Sequence, residues 1–527
     1  MKMRWLPRFL GMVIINGSLL WGGVVQAAET IVFSISALEF SIAVDSLAHY
    51  AQTGKIKPDL SDVAAHLSDE QLTQLREVLD ARVDVDPVVV SQFLYSPQGE
   101  AVLGEIGELI LTRKRQSGFY ALRSALILAA ADPEGGLTPL NVMRKFPVDG
   151  IRIDSTFAFD LMGQVGRNIA DTQVAIATIE QQAQQQAATA PDTSFPLDLR
   201  QAGSLEFEQS TLILNDLERE RIFSVDLYVP RTATVQPAPL VIISHGLGSD
   251  RSTFVYLARH LASHGFAVAV PEHPGSNAAQ IQALAAGTTN ELTPPSELVD
   301  RPLDVQFLLD HLATKYSDRV RTQTVGVIGQ SFGAYTALAL AGAELNLPRL
   351  ADTCPQALYT LNWSLVLQCS ALKLTEPIPT LQDERVAAVV AINPLTSQIF
   401  GPEQLSAITI PVLLISGGAD TVTPALPEQI QPFNLFSPPN RYLALLSQGT
   451  HFSTLAESDG DIPLPSAVLG PDPTIAQAYV RALGLGFFGS TVAGRSELQT
   501  YLSASYAAQI SNTVNRLSLV EAQAQVE

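Results

Sequence analysis

Apolar positions follow two different rhythms along this chain. After an opening pair of strand-like runs, TIVFSI and EFSIAV, whose apolar residues alternate, residues 28–190 read as mainly helical. Ser68-Asp-Glu-Gln71 has the form of a capping box, and Leu72, Leu75 and Leu79 then share one helix face. SQFLYSPQGEAVLGEIGELIL and FYALRSALILAAADP continue the helical pattern, the second stopped by Pro133. From Thr172 a helix loses its apolar stripe, turns rich in Gln and Ala, and ends at Pro191, which sets a domain boundary. Beyond it, residues 196–490 alternate strands with helices. The eight strand candidates are SLEFEQSTLIL, FSVDLYV, APLVIIS, FAVAV, TVGVIG, VAAVVAI, IPVLLIS and RYLALL. Such alternation predicts an α/β domain with a mostly parallel eight-stranded sheet covered by helices on both faces. Residues 345–385 interrupt it as a lid-like insertion, and 491–527 read as a C-terminal helical extension.

The first 27 residues change the picture of where the chain resides. Lys2, Arg4 and Arg8 precede an apolar stretch broken by Asn16 and by glycines, and VQAAE then offers small residues at Val25 and Ala27. This order reads as a secretory signal peptide, 1–27, cleaved after Ala27, which predicts a periplasmic or extracellular protein. An uncleaved anchor is the competing reading, for which the run is short and interrupted. The net charge of −20 becomes −23 once those three basic residues are removed, which argues against nucleic acid or an anionic membrane surface as partner. The two cysteines, Cys354 and Cys369, lie in one irregular segment; export favours a disulfide, and two buried thiols are the alternative.

The candidate chemistry begins at VGVIGQSFGAYTALALAG, residues 325–342. Gly329-Gln330-Ser331-Phe332-Gly333 fits G-x-S-x-G between an apolar strand and a small-residue helix, the setting of a nucleophile elbow. Serine needs a base, and of the eight histidines only His451 follows Ser331, on a loop after a strand. An acid must orient the imidazole. Asp420 closes IPVLLISGGAD directly after a strand, whereas Glu344, Asp352, Glu376, Asp383, Glu384, Glu403 and Glu428 read as solvated charges. For the oxyanion hole, the backbone N–H of Phe332 and that of Leu247, in the loop PLVIISHGLGSDRS, are the candidate donors. His260 and His264 have helical spacing but lack the intervening Glu of a zinc protease, and read as helix-surface residues. His49 and His66 read as structural or solvent-facing, and His273 as either cleft-lining or structural. No metal or organic cofactor is required by this set.

These residues resemble the alpha/beta-hydrolase superfamily. PLVIISHGLGSDRSTFVYLARHLASHGFAVAVPEHPGS followed by GQSFGAYTALALA is similar to platelet-activating-factor acetylhydrolases and dienelactone-hydrolase-like esterases, over roughly residues 200 to 490. The resemblance implies an esterase working through Ser331, His451 and an acid. Acetylhydrolases of that branch take the acid from the turn after the strand equivalent to VAAVVAI, where this chain has Asn393. That departure favours Asp420, as in polyester- and lipid-cleaving relatives. TIVFSISALEFSIAV to PVDGIRID is similar to a helical segment of unassigned function that precedes such hydrolases in cyanobacterial proteins.

The expectation is therefore a secreted serine ester hydrolase acting on a small-molecule ester or a lipid through an acyl-enzyme. Two alternatives stand beside it: acyl transfer on the same triad, and a binding or scaffold protein that retains the fold while its helical domain recognises a partner. LYTLNWSLVLQ in the insertion, with Trp363, is a candidate acyl-pocket lining or simply packing for its own domain.

Overall fold

A computed structural model describes residues 28–522 apart from 36–37, 66, 154, 192, 232–235, 356–359, 361, 376 and 458–465. The leader, with its proposed cleavage point, and His66 lie outside the described residues.

The N-terminal region is helical around a small sheet. β1 (Thr30–Ile35) and β2 (Leu38–Ala43) pair as a hairpin, and β4 (Ile151–Ile153) joins β1 in parallel while β3 (Ile110–Thr112) pairs with β4. The last two strands are only three residues long, too short for alternation to reveal them. The Ser68 capping box forms, with Ser68 Oγ accepting from Gln71 N–H and Gln71 Oε1 accepting from Ser68 N–H. Leu79 is buried with Ala51, Leu94, Leu103 and Phe146 in a core separate from that of the larger domain.

A single helix, Ser155–Thr189, leads out of this region and lies along the second domain, where Gln186 hydrogen-bonds the backbone of Glu521 and Glu180 pairs with Arg516. It begins earlier than Thr172, where its apolar stripe fades. The two domains also meet at Gln98. Its buried amide donates to the Thr293 carbonyl at 3.1 Å and accepts from Leu292 N–H at 3.2 Å.

The larger domain holds a nine-stranded sheet. Its strands are β5 (Phe207–Asp216), β6 (Arg221–Pro230), β7 (Ala238–Ser244), β8 (Ala267–Pro271), β9 (Val320–Gln330), β10 (Val386–Ile392), β11 (Val412–Gly417), β12 (Arg441–Leu446) and β13 (Leu517–Glu521). The order is β13-β12-β11-β10-β9-β7-β8-β6-β5, with β7 to β12 parallel to one another and β5, β6 and β13 antiparallel to their neighbours. Helices cover both faces, so the central strands are apolar on both sides and two buried clusters flank the sheet. The eight candidate strands all form. The C-terminal extension differs from the helical expectation: after the helix Ala504–Ile510 it supplies β13, the ninth strand, which covers the edge of β12.

The chain runs from β7 to β8 on one side and then crosses back past β7 to β9 on the other, so the topological switch falls between β7 and β9. Open α/β sheets place their ligand crevice outside the carboxyl ends of the strands at such a point. Among the described residues no helix is long and apolar enough to cross a membrane.

Candidate active site

The carboxyl end of β9 delivers Ser331 into the turn before the helix Phe332–Leu340. Ser331 has φ 55° and ψ −116°, a left-handed conformation that L-residues avoid, held in place by its surroundings. Its N–H donates to the Ile392 carbonyl of β10 at 2.8 Å. The flanking glycines are a steric requirement. A β-carbon at Gly329 would lie 2.1 Å from the Gly333 backbone, and one at Gly333 would lie 1.9 Å from the Ser244 carbonyl oxygen of β7. Two strands and a helix thus approach to the limit that bare backbone allows, and the hydroxyl sits at the helix amino end.

Asp420 follows β11 in the turn Gly417-Gly418-Ala419-Asp420. Its Oδ1 accepts from the N–H groups of Val422 and Thr423, both at 2.8 Å, and Oδ2 accepts from Thr423 Oγ1 at 2.7 Å. Oδ2 also takes His451 Nδ1 at 2.8 Å, and both residues are buried. A carboxylate only accepts, so the His451 proton resides on Nδ1 and the lone pair of Nε2 is left to face elsewhere. Thr423 Oγ1, its own proton committed to Asp420 or the Asn393 carbonyl, lies 3.2 Å from Nδ1 and adds a second acceptor.

The serine and histidine loops are joined by a residue the sequence does not flag. Gln330, immediately before Ser331, donates through Nε2 to the His451 carbonyl at 2.9 Å. Among the described residues Ser331 Oγ and His451 make no hydrogen bond to each other; catalytic hydrogen bonds of this kind often close only in a substrate complex. Asn393 performs a second tie. With φ 45°, it accepts from Gly417 N–H at 3.0 Å and donates to the Thr450 carbonyl at 3.2 Å, linking the loops that carry Asp420 and His451. Where the resembled acetylhydrolases have their acid, this chain has a neutral brace.

The remaining candidates fall as follows. Leu247 and Phe332 stand at the carboxyl ends of the adjacent strands β7 and β9, and among the described residues no hydrogen bond takes up either N–H. Glu428 is not a solvated charge: it is fully buried, accepting from Asn362, Gln368 and the Thr396 and Ser397 backbone N–H groups, and it fastens the insertion to the β10 turn without touching His451. Asp383 is buried too, chelated by Arg385. His260 is only 3% exposed and packs against His264, so the helix-surface reading is corrected for it. His273 is buried and structural, with Nδ1 on Asp304 at 2.9 Å and Nε2 on Ser244 Oγ at 3.0 Å. Both the Cys354–Cys369 disulfide and the helix Ser364–Ser370 form within the insertion. Trp363 stands at the N-cap position of that helix and is 42% exposed. Among the described residues no cluster of His, Cys, Asp or Glu could hold a metal ion.

The sheet order, with the strained serine turn and the paired acid and imidazole at neighbouring strand ends, is that of the alpha/beta-hydrolase fold. Within that class, residues 27–154 match the family model described as alpha/beta hydrolase of unknown function (DUF1400), and residues 209–301 match that of platelet-activating factor acetylhydrolase, isoform II. The second match spans β5 to β8 and stops short of Ser331, Asp420 and His451. No curated protein matches the chain. The matched families support hydrolysis as the reaction type, and the disulfide is consistent with an exported protein.

Proposed function

We propose that this protein is an exported serine ester hydrolase of the carboxylesterase or lipase type. Ser331 Oγ attacks the ester carbonyl carbon while His451 Nε2 removes its proton, and the carbonyl oxygen, now an anion, is received by the Leu247 and Phe332 N–H groups. Collapse expels the alcohol, which takes the proton from His451 and leaves an acyl group on Ser331. Water, deprotonated by the same nitrogen, then attacks the acyl carbon and releases the acid, restoring the serine. Asp420 keeps Nδ1 protonated and balances the imidazolium at each step.

The observation that carries this reading is the 2.8 Å Asp420–His451 pair, held by Gln330 against the strand end where Ser331 is strained. The substrate class is an acyl or lipid ester, and no cofactor enters the scheme. The test is turnover of a chain-length series of p-nitrophenyl esters by the mature protein beside Ser331→Ala. Activity lost in the serine variant supports the proposal, and equal activity in both proteins overturns it. Acyl transfer to an alcohol or amine would show instead as fluorophosphonate labelling without release of free acid.

A further inference from the structure

Beneath the candidate oxyanion cradle lies a cation that the reaction scheme does not use. Arg301, on the helix Glu297–Lys315, has 0% exposure and is the largest fully buried side chain among the described residues. One of its nitrogens, Nη2, donates to the His245 carbonyl, and its Cζ stands 4.3 Å from the centre of the Phe332 ring. Nε and Nη1 have no hydrogen-bond partner among the described residues, and no carboxylate there pairs with the guanidinium within 4.0 Å. The nearest acids are already engaged. Glu297 accepts from Arg221 and Ser276, and Asp304 accepts from Arg219, Arg221 and His273. Burial pushes the Arg301 pKa down to about 9, against the pull of Glu297 and Asp304.

A buried, unneutralised guanidinium is expensive, and a protein aiming only at stability would replace it with an apolar side chain of similar volume. Its two contacts suggest what it is for. His245 and Leu247 belong to one wall of the cradle, and Phe332 forms the other. The intervening peptide is oriented by the same group of residues. His273 N–H donates to His245 Nε2 at 3.1 Å, so His245 carries its proton on Nδ1 and gives it to the Gly246 carbonyl at 2.8 Å. In a planar trans peptide the C=O and N–H point opposite ways, so fixing the Gly246 carbonyl inward turns Leu247 N–H outward. Burial lowers the pKa of both histidines, keeping them neutral for these roles.

We infer that Arg301 is a positioning residue of the oxyanion cradle, one buried side chain gripping the wall that carries Leu247 and the wall that carries Phe332. Its charge lies where it favours the anion formed between them, in a medium that screens it weakly. Ser331 as the nucleophile is the reading on which this rests.

The experiment compares wild type, Arg301→Lys and Arg301→Met, with rates expressed per serine titrated by a fluorophosphonate. Arg301→Met is expected to lower kcat about 10²-fold, near the cost of losing one oxyanion donor, with KM nearly unchanged. Affinity for a trifluoromethyl ketone, which forms a tetrahedral oxyanion on serine, should fall in proportion. Arg301→Lys keeps the charge but cannot span both walls, and should recover part of the loss. A purely structural arginine would lower thermal stability and the titrated fraction while leaving kcat per site and ketone affinity as in wild type; that result overturns the inference. Should Arg301→Met fail to fold, Arg301→Lys decides alone: wild-type kcat and ketone affinity per titrated site refute the role. Wild type that neither takes the fluorophosphonate nor cleaves esters would defeat the hydrolase reading itself and this inference with it.

Discussion

Replacing Asn393 tests whether the acid and histidine loops depend on their brace. Asn393→Ala removes the acceptor of the buried Gly417 N–H and the donor to the Thr450 carbonyl. An orphaned buried donor costs about 1–3 kcal/mol, and the partly exposed carbonyl adds less. Alanine must also adopt φ 45°, which asparagine tolerates better, for about another 1 kcal/mol. The sum is about 2–4 kcal/mol. Asn393→Gly loses the same hydrogen bonds without the backbone penalty, so it should be the more stable variant by about 1 kcal/mol, the reverse of the usual glycine cost. Urea unfolding of all three proteins measures this, and ester turnover per titrated serine reports whether Asp420 and His451 stay aligned. Both variants should lose kcat together, because either one frees both loops. An alanine variant as stable as wild type, or more stable than the glycine variant, would refute the reasoning.

Three further outcomes follow from the geometry. Asp420→Asn should cut kcat about 10³–10⁴-fold at neutral pH, since an amide can donate to Nδ1 and so select the wrong tautomer; stopped-flow measurement of acyl-enzyme formation checks it. Gly333→Ala, whose β-carbon would meet the Ser244 carbonyl at 1.9 Å, should misplace Ser331 and cost at least about 10²-fold in fluorophosphonate labelling rate, read beside a circular dichroism spectrum. Acid should destabilise the fold before the carboxylate range is reached. Burial holds His260 down to about 3 and His245 and His273 well below 6.5, so each takes up a proton on unfolding. Stability is full above the unfolded value and is lost as pH falls from there toward the folded one, by about 1.4 kcal/mol per pH unit per proton. His260→Gln should flatten the pH dependence of the urea midpoint by about one proton.

The sheet and the three candidate catalytic side chains are legible because each leaves a local mark. Buried parallel strands are continuous apolar runs, the elbow needs glycine on both sides of serine, and only one histidine follows it. β13 escapes notice because LSLVE is short and follows a polar loop, so only the exposed edge of β12 explains it. Glu428, Gln330 and Arg301 are hidden for a different reason. Their partners come from distant segments, 32, 121 and 56 positions away for one bond each, and no local pattern announces a buried charge or amide satisfied across such spans. Asn393 is visible in the sequence only as a missing acid, whereas its function as a tie between loops emerges from the fold.

The central claim is that acyl groups pass through Ser331, and trapping the acyl-enzyme tests it most directly. The mature protein, mixed with a p-nitrophenyl ester and quenched in acid during turnover, should carry one acyl mass, mapped by peptide mass spectrometry to Ser331 and absent from Ser331→Ala. Steady turnover with no acyl mass on Ser331, or with the label on another residue, would contradict the account.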